Sequence, residues 1–332
     1  MAGQPVTRAA VLLVLSCLAF PACAEEAQWW LKPGLKVATY EFLERTENRP
    51  DLTSRQIVAH LDRLGRCDLL LVKGFQYWEG RFDDGEWGYA RFRREFGELA
   101  ALLHRKKMKI GVFGFTDRAR SYKGGPDEEL ILNVWKGYAE MGADILMVDE
   151  ETGKNGLDLP AACLEHMDIT RSATGLPVGT FVYGPATGAW RLREIAKHAD
   201  VVGEMGYELF LDRKGDYSLS AVTRAFSAAV RKGAEGRCAY WTGAMVPERE
   251  EKGPGGKHWI ERYGKRDLRA YFRDYLRAAR KAGATGTWVH SICRLSRMPA
   301  VARIRAMTGV WEGFRDQKPN RVKSGDGKSS SR

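Results

Sequence analysis

The sequence lacks the short motifs that mark a bound metal ion or a bound nucleotide. Its six histidines and six cysteines include no H-E-x-x-H and no C-x-x-C arrangement, so we predict that the protein holds no metal. A doubly wound nucleotide-binding sheet would carry a glycine-rich loop after its first strand. Residues 41–44, Glu-Phe-Leu-Glu, occupy that position here. They cannot cradle a phosphate, and we predict no cofactor.

Long apolar runs are also scarce. The run Ala9–Phe20 is shorter than the roughly 20 residues that cross a bilayer, and it precedes the small-residue pattern Ala22-x-Ala24. This order is typical of a cleaved signal peptide. We therefore predict that residues 1–24 are removed and that the protein is exported, either periplasmic or secreted. A lipid anchor on Cys23 is a minor alternative. No later segment of the sequence is apolar enough to span a membrane.

Cysteine is sparse in the chain after residue 24. The four remaining cysteines are widely spaced and stand beside apolar segments. Export permits disulfides, but this placement favours buried free thiols. The four are Cys67, Cys163, Cys238 and Cys293.

Negative charge is in deficit, because the formal net charge is +11. A basic exported protein favours anionic surroundings such as a cell-wall matrix. The arginines and lysines are spread over amphipathic segments and form no nucleic-acid recognition motif, so we expect no nucleic-acid partner. The polar end of the chain, 316–332, is rich in Gly, Ser and Lys and is predicted to be disordered. We expect a monomer.

Short apolar runs alternate with helical patterns along 25–315, which predicts a single (β/α)8 barrel. Most runs are apolar throughout, as strands buried on both faces are. One helix, 53–65, opens with a capping box at Thr53 and Gln56. The strand candidates are Leu35–Tyr40, Asp68–Lys73, Lys109–Phe115, Asp144–Asp149, Pro177–Tyr183, Val201–Gly206, Cys238–Thr242 and Gly286–His290.

Active sites of such barrels lie at the C-terminal ends of the strands. The residues at these ends are rich in carboxylates and aromatic rings, which suit acid–base chemistry on sugars and stacking against sugar rings. They are Tyr40, Glu41, Lys73, Gln76, Tyr77, Trp78, Phe115, Asp117, Asp149, Glu150, Glu151, Tyr183, Glu204, Tyr207, Glu208, Tyr240, Trp241, Trp288 and His290.

The fourth strand carries the sharpest signal, Asp149-Glu150-Glu151. Because side chains alternate along a strand, Asp149 and Glu151 are expected to point into the barrel mouth and Glu150 away from it. Two close carboxylates disfavour ionisation of both, so one is held protonated, as a general acid requires. A solvated acidic loop after the strand would give the same local sequence.

In its motifs the sequence resembles the chitinase and endo-β-N-acetylglucosaminidase superfamily, the family 18 glycoside hydrolases. Asp144, Asp149 and Glu151 match the first, third and last acidic positions of the fourth-strand motif D-x-x-D-x-D-x-E, while Met147 stands at the second acidic position and departs from it. Met205-Gly206-Tyr207-Glu208 matches the sixth-strand motif M-x-Y-D with Glu for Asp, and Trp288 matches the eighth-strand Trp.

The resemblance implies hydrolysis of N-acetylhexosamine glycans by a substrate-assisted retaining mechanism. Glu151 would be the acid and then the base, and Asp149 would orient the substrate's acetamido group. Tyr207 would hydrogen-bond the acetamido oxygen, and Trp288 would form the floor. Further candidate substrate contacts are Tyr40, Tyr183, Glu204, Met205, Glu208 and Trp241. Met205 and Trp241 are also typical of core residues.

Two alternatives stay open. Asp149 could pair with Glu204 or Glu208 as nucleophile and acid/base of a retaining enzyme, with the carboxyl groups about 5 Å apart. The barrel could also bind glycans without cleaving them, although Glu151 argues for catalysis. The segment Gly243–Thr285 is too short for an extra wall domain, so a shallow cleft for short, branched or wall glycans is expected.

Overall fold

Eight parallel strands close into a barrel in the computed structural model. Each strand pairs with the next, and β1 pairs with both β2 and β8, which closes the sheet. This confirms the predicted (β/α)8 barrel. The strands are β1 Leu35–Tyr40, β2 Leu69–Trp78, β3 Lys109–Phe115, β4 Ile145–Thr152, β5 Val178–Val182, β6 Val201–Glu204, β7 Ala239–Met245 and β8 Gly286–His290.

Helices follow most of these strands. Helix α1 opens with the predicted capping box: the Gln56 N–H donates to Thr53 Oγ1 over 3.3 Å, and the Thr53 N–H donates to Gln56 Oε1 over 2.7 Å. Near the end of the chain, residues 307–313 are also helical. The helices are α1 Ser54–Leu64, α2 Tyr89–Arg105, α3 Glu128–Glu140, α4 Ala161–Thr174, α5 Ala189–His198 and α6 Leu268–Lys281.

The structure describes most of the barrel wall and leaves most of the loops after the strands outside its description. The predicted signal peptide and the polar C-terminal segment also lie outside it. The described residues are 28–40, 53–65, 67–78, 80–82, 89–116, 121–122, 124–152, 161–182, 189–204, 228, 230–232, 235–245, 267–281, 283–290 and 307–313. No helix among them is long and apolar enough to cross a membrane.

Strand β2 extends beyond its predicted end and turns back on itself. Residues Arg81–Phe82 pair antiparallel with it, and Gly80, with φ of +80°, makes the turn. The left-handed conformation suits glycine, which has no Cβ to clash. The short hairpin holds Tyr77 against Phe82, with ring centroids 4.9 Å apart.

Residues that pair in register on neighbouring strands point their side chains to the same face of the sheet. The side chains of the barrel therefore form an inner layer and an outer layer. Phe113, Phe181 and Trp288 form the inner layer, with centroid distances of 5.8 Å and 4.6 Å between successive rings. The outer layer faces the helices. There the Tyr138 hydroxyl of α3 donates to the Gly74 carbonyl over 2.7 Å, and Tyr275 of α6 lies 3.1 Å from Thr242 Oγ1.

Carboxylates at the N-terminal ends of alternate strands tie neighbouring strands together. Asp68, Asp144 and Asp200 stand just before β2, β4 and β6. Each accepts a backbone N–H from the preceding strand, at 2.9 Å, 2.9 Å and 2.8 Å respectively, and each donates its own N–H back to the same residue. Before β8, Thr285 takes the equivalent place and accepts the Tyr240 N–H over 3.2 Å.

Three of the four cysteines predicted to be buried free thiols are so: Cys67, Cys163 and Cys238. Burial raises the pKa of Cys67 to about 12, and burial likewise raises the pKa of Cys238. Both thiols are therefore held protonated and unreactive. Cys293 lies outside the described residues.

Candidate active site

The open part of the barrel mouth lies at the ends of β2, β3 and β4. Lys73 is in register with Phe113, Gln76 with Phe115, and Asp149 with Phe181, which places these side chains on the inner face. Lys73, Gln76, Phe115 and Asp149 are all half-buried. The mouth therefore offers solvent a cation, an amide, an aromatic ring and a carboxylate on three neighbouring strands.

Beneath these groups lies a closed apolar layer that we call the floor, formed by Phe113, Met147, Phe181 and Trp288. None of the four is more than 3% exposed. Gly179 gives Met147 its room, because a Cβ on Gly179 would lie 2.5 Å from Met147 Sδ. Met147, at the position where the resembling family carries an acid, is thus a packing residue of this floor.

Asp149 stands directly above the floor, but the strand becomes irregular after it. Asp149 pairs with Phe181 and Thr152 with Val182, so two extra residues, Glu150 and Glu151, fall between neighbouring pairs. Bulges of this kind re-aim side chains and are frequent beside active sites. The alternation that predicts a common direction for Asp149 and Glu151 assumes a regular strand. The Glu151 side chain lies outside the described residues, so its direction stays a prediction.

Glu204 ends β6 on the outer face of the barrel. Its register partner is Thr242, which contacts Tyr275 of α6, and only 3% of Glu204 is exposed. Burial, followed by the nearby Glu204 carboxylate, raises the pKa of the Tyr240 hydroxyl well above its usual range. The Glu204 side chain therefore lies between the barrel and the helices, away from the inner face that carries Asp149.

Trp288 lies inside the barrel against the backbone of β6. Its Nε1–H donates to the Glu204 carbonyl over 3.2 Å, and its ring tilts against Phe181 at 4.6 Å. Only 2% of the residue is exposed. The ring therefore belongs to the floor, and its described surroundings leave little of it open to the mouth. Its contact with a sugar stays a prediction.

Two further predicted contacts lie in buried positions. Tyr40 pairs with Val72, shares the outer face of β1 with Lys36, whose ammonium lies over the Trp311 ring, and is 4% exposed. Trp241 is on the inner face and is fully buried, which fits the core role considered for it. Neither residue presents a surface at the described mouth.

Several predicted site residues cannot be placed. Tyr183, Met205, Tyr207 and Glu208 lie outside the described residues. Among the residues that are described, no group of three or more His, Cys, Asp and Glu is arranged to hold a metal ion.

Asp144, the first acidic position of the fourth-strand motif, lies at the opposite end of the barrel from Asp149. It accepts the Ile110 N–H, and Lys109 Nζ and His104 Nε2 lie 2.9 Å and 2.8 Å from its oxygens. Its partners make it a structural clamp. Conversely, Lys73, Gln76 and Phe115 were visible in the sequence only as residues at strand ends, and nothing there distinguished them from their neighbours.

The fold and the mouth together define a (β/α)8 barrel with a carboxylate presented above an apolar floor at the end of its fourth strand. The chain matches no protein-family model and no curated protein. Its fold does match solved structures. A chitinase from Chromobacterium violaceum is similar at 12% identity over 86% of this chain and 100% of that one, with a TM-score of 0.52.

Two other similar structures widen the comparison. The spore cortex-lytic enzyme SleL of Bacillus cereus has 9% identity over 84% of this chain and 74% of that one, with a TM-score of 0.52. An endo-beta-mannanase/endo-beta-glucanase of Prevotella bryantii has 10% identity over 86% of this chain and 50% of that one, with a TM-score of 0.51. At such identities the likeness concerns the fold alone. What these matches show is that the chain shares its barrel fold with a chitinase, a spore cortex-lytic enzyme and an endo-beta-mannanase/endo-beta-glucanase.

Proposed function

We propose that the protein is an exported glycoside hydrolase that cleaves N-acetylhexosamine-containing glycans by a substrate-assisted retaining mechanism. The observation that carries the proposal is Asp149, a half-buried carboxylate on the inner face of the barrel mouth, directly above a floor that includes Met147 and Phe181. The similarity of the barrel to a chitinase and to a spore cortex-lytic enzyme supports the choice of substrate class.

The arrangement suits an acetamido group as the internal nucleophile. A sugar seated in the mouth would place its 2-acetamido methyl toward the apolar floor and its N–H toward the Asp149 carboxylate. Asp149 would then orient the group so that the carbonyl oxygen attacks the anomeric carbon, and would stabilise the positive charge that develops on the resulting ring. The floor excludes water from this charge, which strengthens the interaction.

The proton transfers fall to Glu151. It would protonate the glycosidic oxygen as the bond to the leaving sugar breaks, and then take a proton from the water that opens the cyclic intermediate. Tyr207 would donate a hydrogen bond to the acetamido oxygen. Trp288 would contribute through the floor, by holding Phe181 in place beneath the sugar.

The alternative mechanism with two catalytic carboxylates pairs Asp149 with either Glu204 or Glu208. The pairing with Glu204 has little support. A retaining pair needs carboxyl groups about 5 Å apart on the same cleft. Glu204 faces the helices on the outer layer, whereas Asp149 faces inward. Pairing of Asp149 with Glu208 remains an alternative, as does a barrel that binds glycans without cleaving them.

The proposal is tested by comparing the wild type with Glu151→Gln on chito-oligosaccharides, N-glycans and peptidoglycan fragments. We expect the wild type to cleave at least one N-acetylhexosaminide and the variant to lose at least about a hundredfold in kcat, as general acid–base catalysis contributes. Glu140→Gln, an exposed position at the end of α3, is the matched control. Equal activity of wild type and Glu151→Gln would remove Glu151 from the mechanism.

The mechanism has its own test. A thiazoline that mimics the cyclic intermediate should inhibit the wild type competitively, and glycans without an acetamido group should not be cleaved. Cleavage of such glycans would favour Asp149 as a direct nucleophile with Glu208. Binding of glycans without turnover by the wild type would favour the non-catalytic barrel.

A further inference from the structure

Lys73 is a lysine on the inner face of the barrel, beside the apolar side chain of Phe113 on the next strand. It lies in register with Phe113, a member of the floor, and it is half-buried. Among the described residues, no carboxylate lies within ion-pair distance of its ammonium, and no interaction with any other group engages it. The ammonium at the barrel mouth is therefore not neutralised by a described carboxylate, and it is available to an anionic ligand.

The backbone is built to keep Lys73 at this position. After Lys73 the register of β2 shifts, so that Gly74 and Phe75 both face the helices while Gln76 returns to the inner face beside Phe115. The Tyr138 hydroxyl binds the Gly74 carbonyl over 2.7 Å, and the Phe75 ring packs on Trp135 at 4.8 Å. The bulge is therefore anchored on α3, and it points Lys73 and Gln76 together into the mouth.

Lys73 and Asp149 share this mouth without neutralising each other. They stand on β2 and β4, with only β3 between them, and neighbouring strands are spaced about 4.8 Å apart. No ion pair joins Lys73 to Asp149. A long flexible stem lets the ammonium reach upward toward solvent while its methylenes cover the floor. The ammonium thus stands close to the sugar that Asp149 would orient.

We propose that Lys73, assisted by Gln76, binds a carboxylate carried by the glycan, so that the preferred substrate is an acidic N-acetylhexosamine glycan. This inference rests on the proposed function and names its substrate class. A carboxylate supplies the missing counter-charge and accepts hydrogen bonds from both the ammonium and the amide. In such glycans it comes either from a lactyl ether on the amino sugar itself or from a neighbouring uronic acid.

Binding can be measured without turnover in the Glu151→Gln background, by calorimetric titration with three tetrasaccharides. Chitotetraose is neutral, alternating N-acetylglucosamine and N-acetylmuramic acid carries lactyl carboxylates, and a hyaluronan fragment carries uronic carboxylates. Lys73→Met should weaken the affinity for at least one acidic glycan about tenfold or more relative to chitotetraose, which is the value of a charged hydrogen bond. The glycan that responds identifies the source of the carboxylate.

Two further variants control the interpretation. Lys232→Met removes an exposed lysine far from the mouth in sequence, and should leave the ratio of affinities unchanged. Lys73→Arg should retain most of the preference, and thermal melting shows whether each variant is folded. An equal loss for neutral and acidic glycans, or no loss in Lys73→Met, overturns the proposal.

The proposed function is judged separately by the hydrolysis of chitotetraose by the wild type. If the wild type cleaves it and the acidic glycans show no dependence on Lys73, only the inference about Lys73 fails. If no N-acetylhexosaminide is bound or cleaved, the proposed function fails, and the inference fails with it.

Discussion

Single residues in the barrel interior show where chemistry and packing compete for the same position. Met147 occupies the inner face one step below Asp149, at a place where the motif of the resembling family calls for an acid. The floor around it is fully apolar, and Gly179 leaves space for its thioether. A carboxylate here would be buried among apolar side chains without a described partner, so this position serves packing in this protein.

His166 on α4 is a second residue whose environment decides its chemistry. It is fully buried, and its ring lies 5.4 Å from that of Tyr122. Neither of its ring nitrogens has a hydrogen-bond partner among the described residues. Burial lowers the pKa of His166 from 6.5 to about 4, although the Glu128 carboxylate opposes the shift. The folded protein therefore binds this proton less readily than the unfolded chain.

The stability of the protein should therefore depend on pH through His166. Because the folded pKa of His166 is below the unfolded value, the residue stabilises the fold above about pH 6.5, and this contribution is lost as the pH falls toward 4. The loss should reach about 3 kcal/mol in the free energy of unfolding. Denaturant unfolding at pH 7 and pH 5 should show this slope in the wild type and a smaller one in His166→Phe. An unchanged slope would contradict the assignment.

At the level of elements, the acidic residues before β2, β4 and β6 act as clamps between neighbouring strands. Asp144 is the informative one, because it matches a motif position yet lies at the end of the barrel opposite Asp149. Asp144→Ala leaves the Ile110 N–H without its acceptor and removes the partner of Lys109.

We expect Asp144→Ala to lower the free energy of unfolding by about 2 kcal/mol, the cost of an unsatisfied buried donor together with a lost ion pair. The kcat of the folded enzyme should change little, whereas Asp149→Asn should lower kcat strongly with little effect on stability. Unfolding curves and initial rates on the same preparations check both statements. Asp274→Ala, at an exposed carboxylate on α6, is the control, and a loss of kcat in Asp144→Ala at full folding would contradict the clamp role.

The boundaries of the strands show which parts of the fold can be predicted from the sequence. The ends of β1, β3 and β8 are as predicted, because apolar runs bounded by polar or glycine residues encode them. The bulges in β2 and β4 are not encoded locally, since the first depends on a contact between Tyr138 and Gly74, 64 positions apart. Strands buried on both faces give no alternation, so the sequence could not show that Glu204 faces outward and Lys73 inward.

The charge of the whole molecule creates an electrostatic field in addition to these local features. Its net charge is +11, but part of the basic surface is paired: on α6, Arg269 binds Glu312 and Arg273 binds Asp274. Exposed basic residues on other helices, such as Arg63 on α1, add to a diffuse positive surface. Such a surface attracts an anionic polymer over a distance set by salt, about 8 Å at physiological ionic strength.

Attachment to an anionic wall and recognition of one sugar should therefore respond differently to salt. We expect the protein to sediment with anionic cell-wall material at about 50 mM salt and to be released at about 500 mM, because surface charges are then screened. The affinity for soluble chitotetraose should change little over that range, since contacts with the floor and Asp149 form within the mouth. Neutral chitin beads serve as the control surface. Sedimentation with the wall that resists salt would show that attachment depends on the sugar site instead of the diffuse charge.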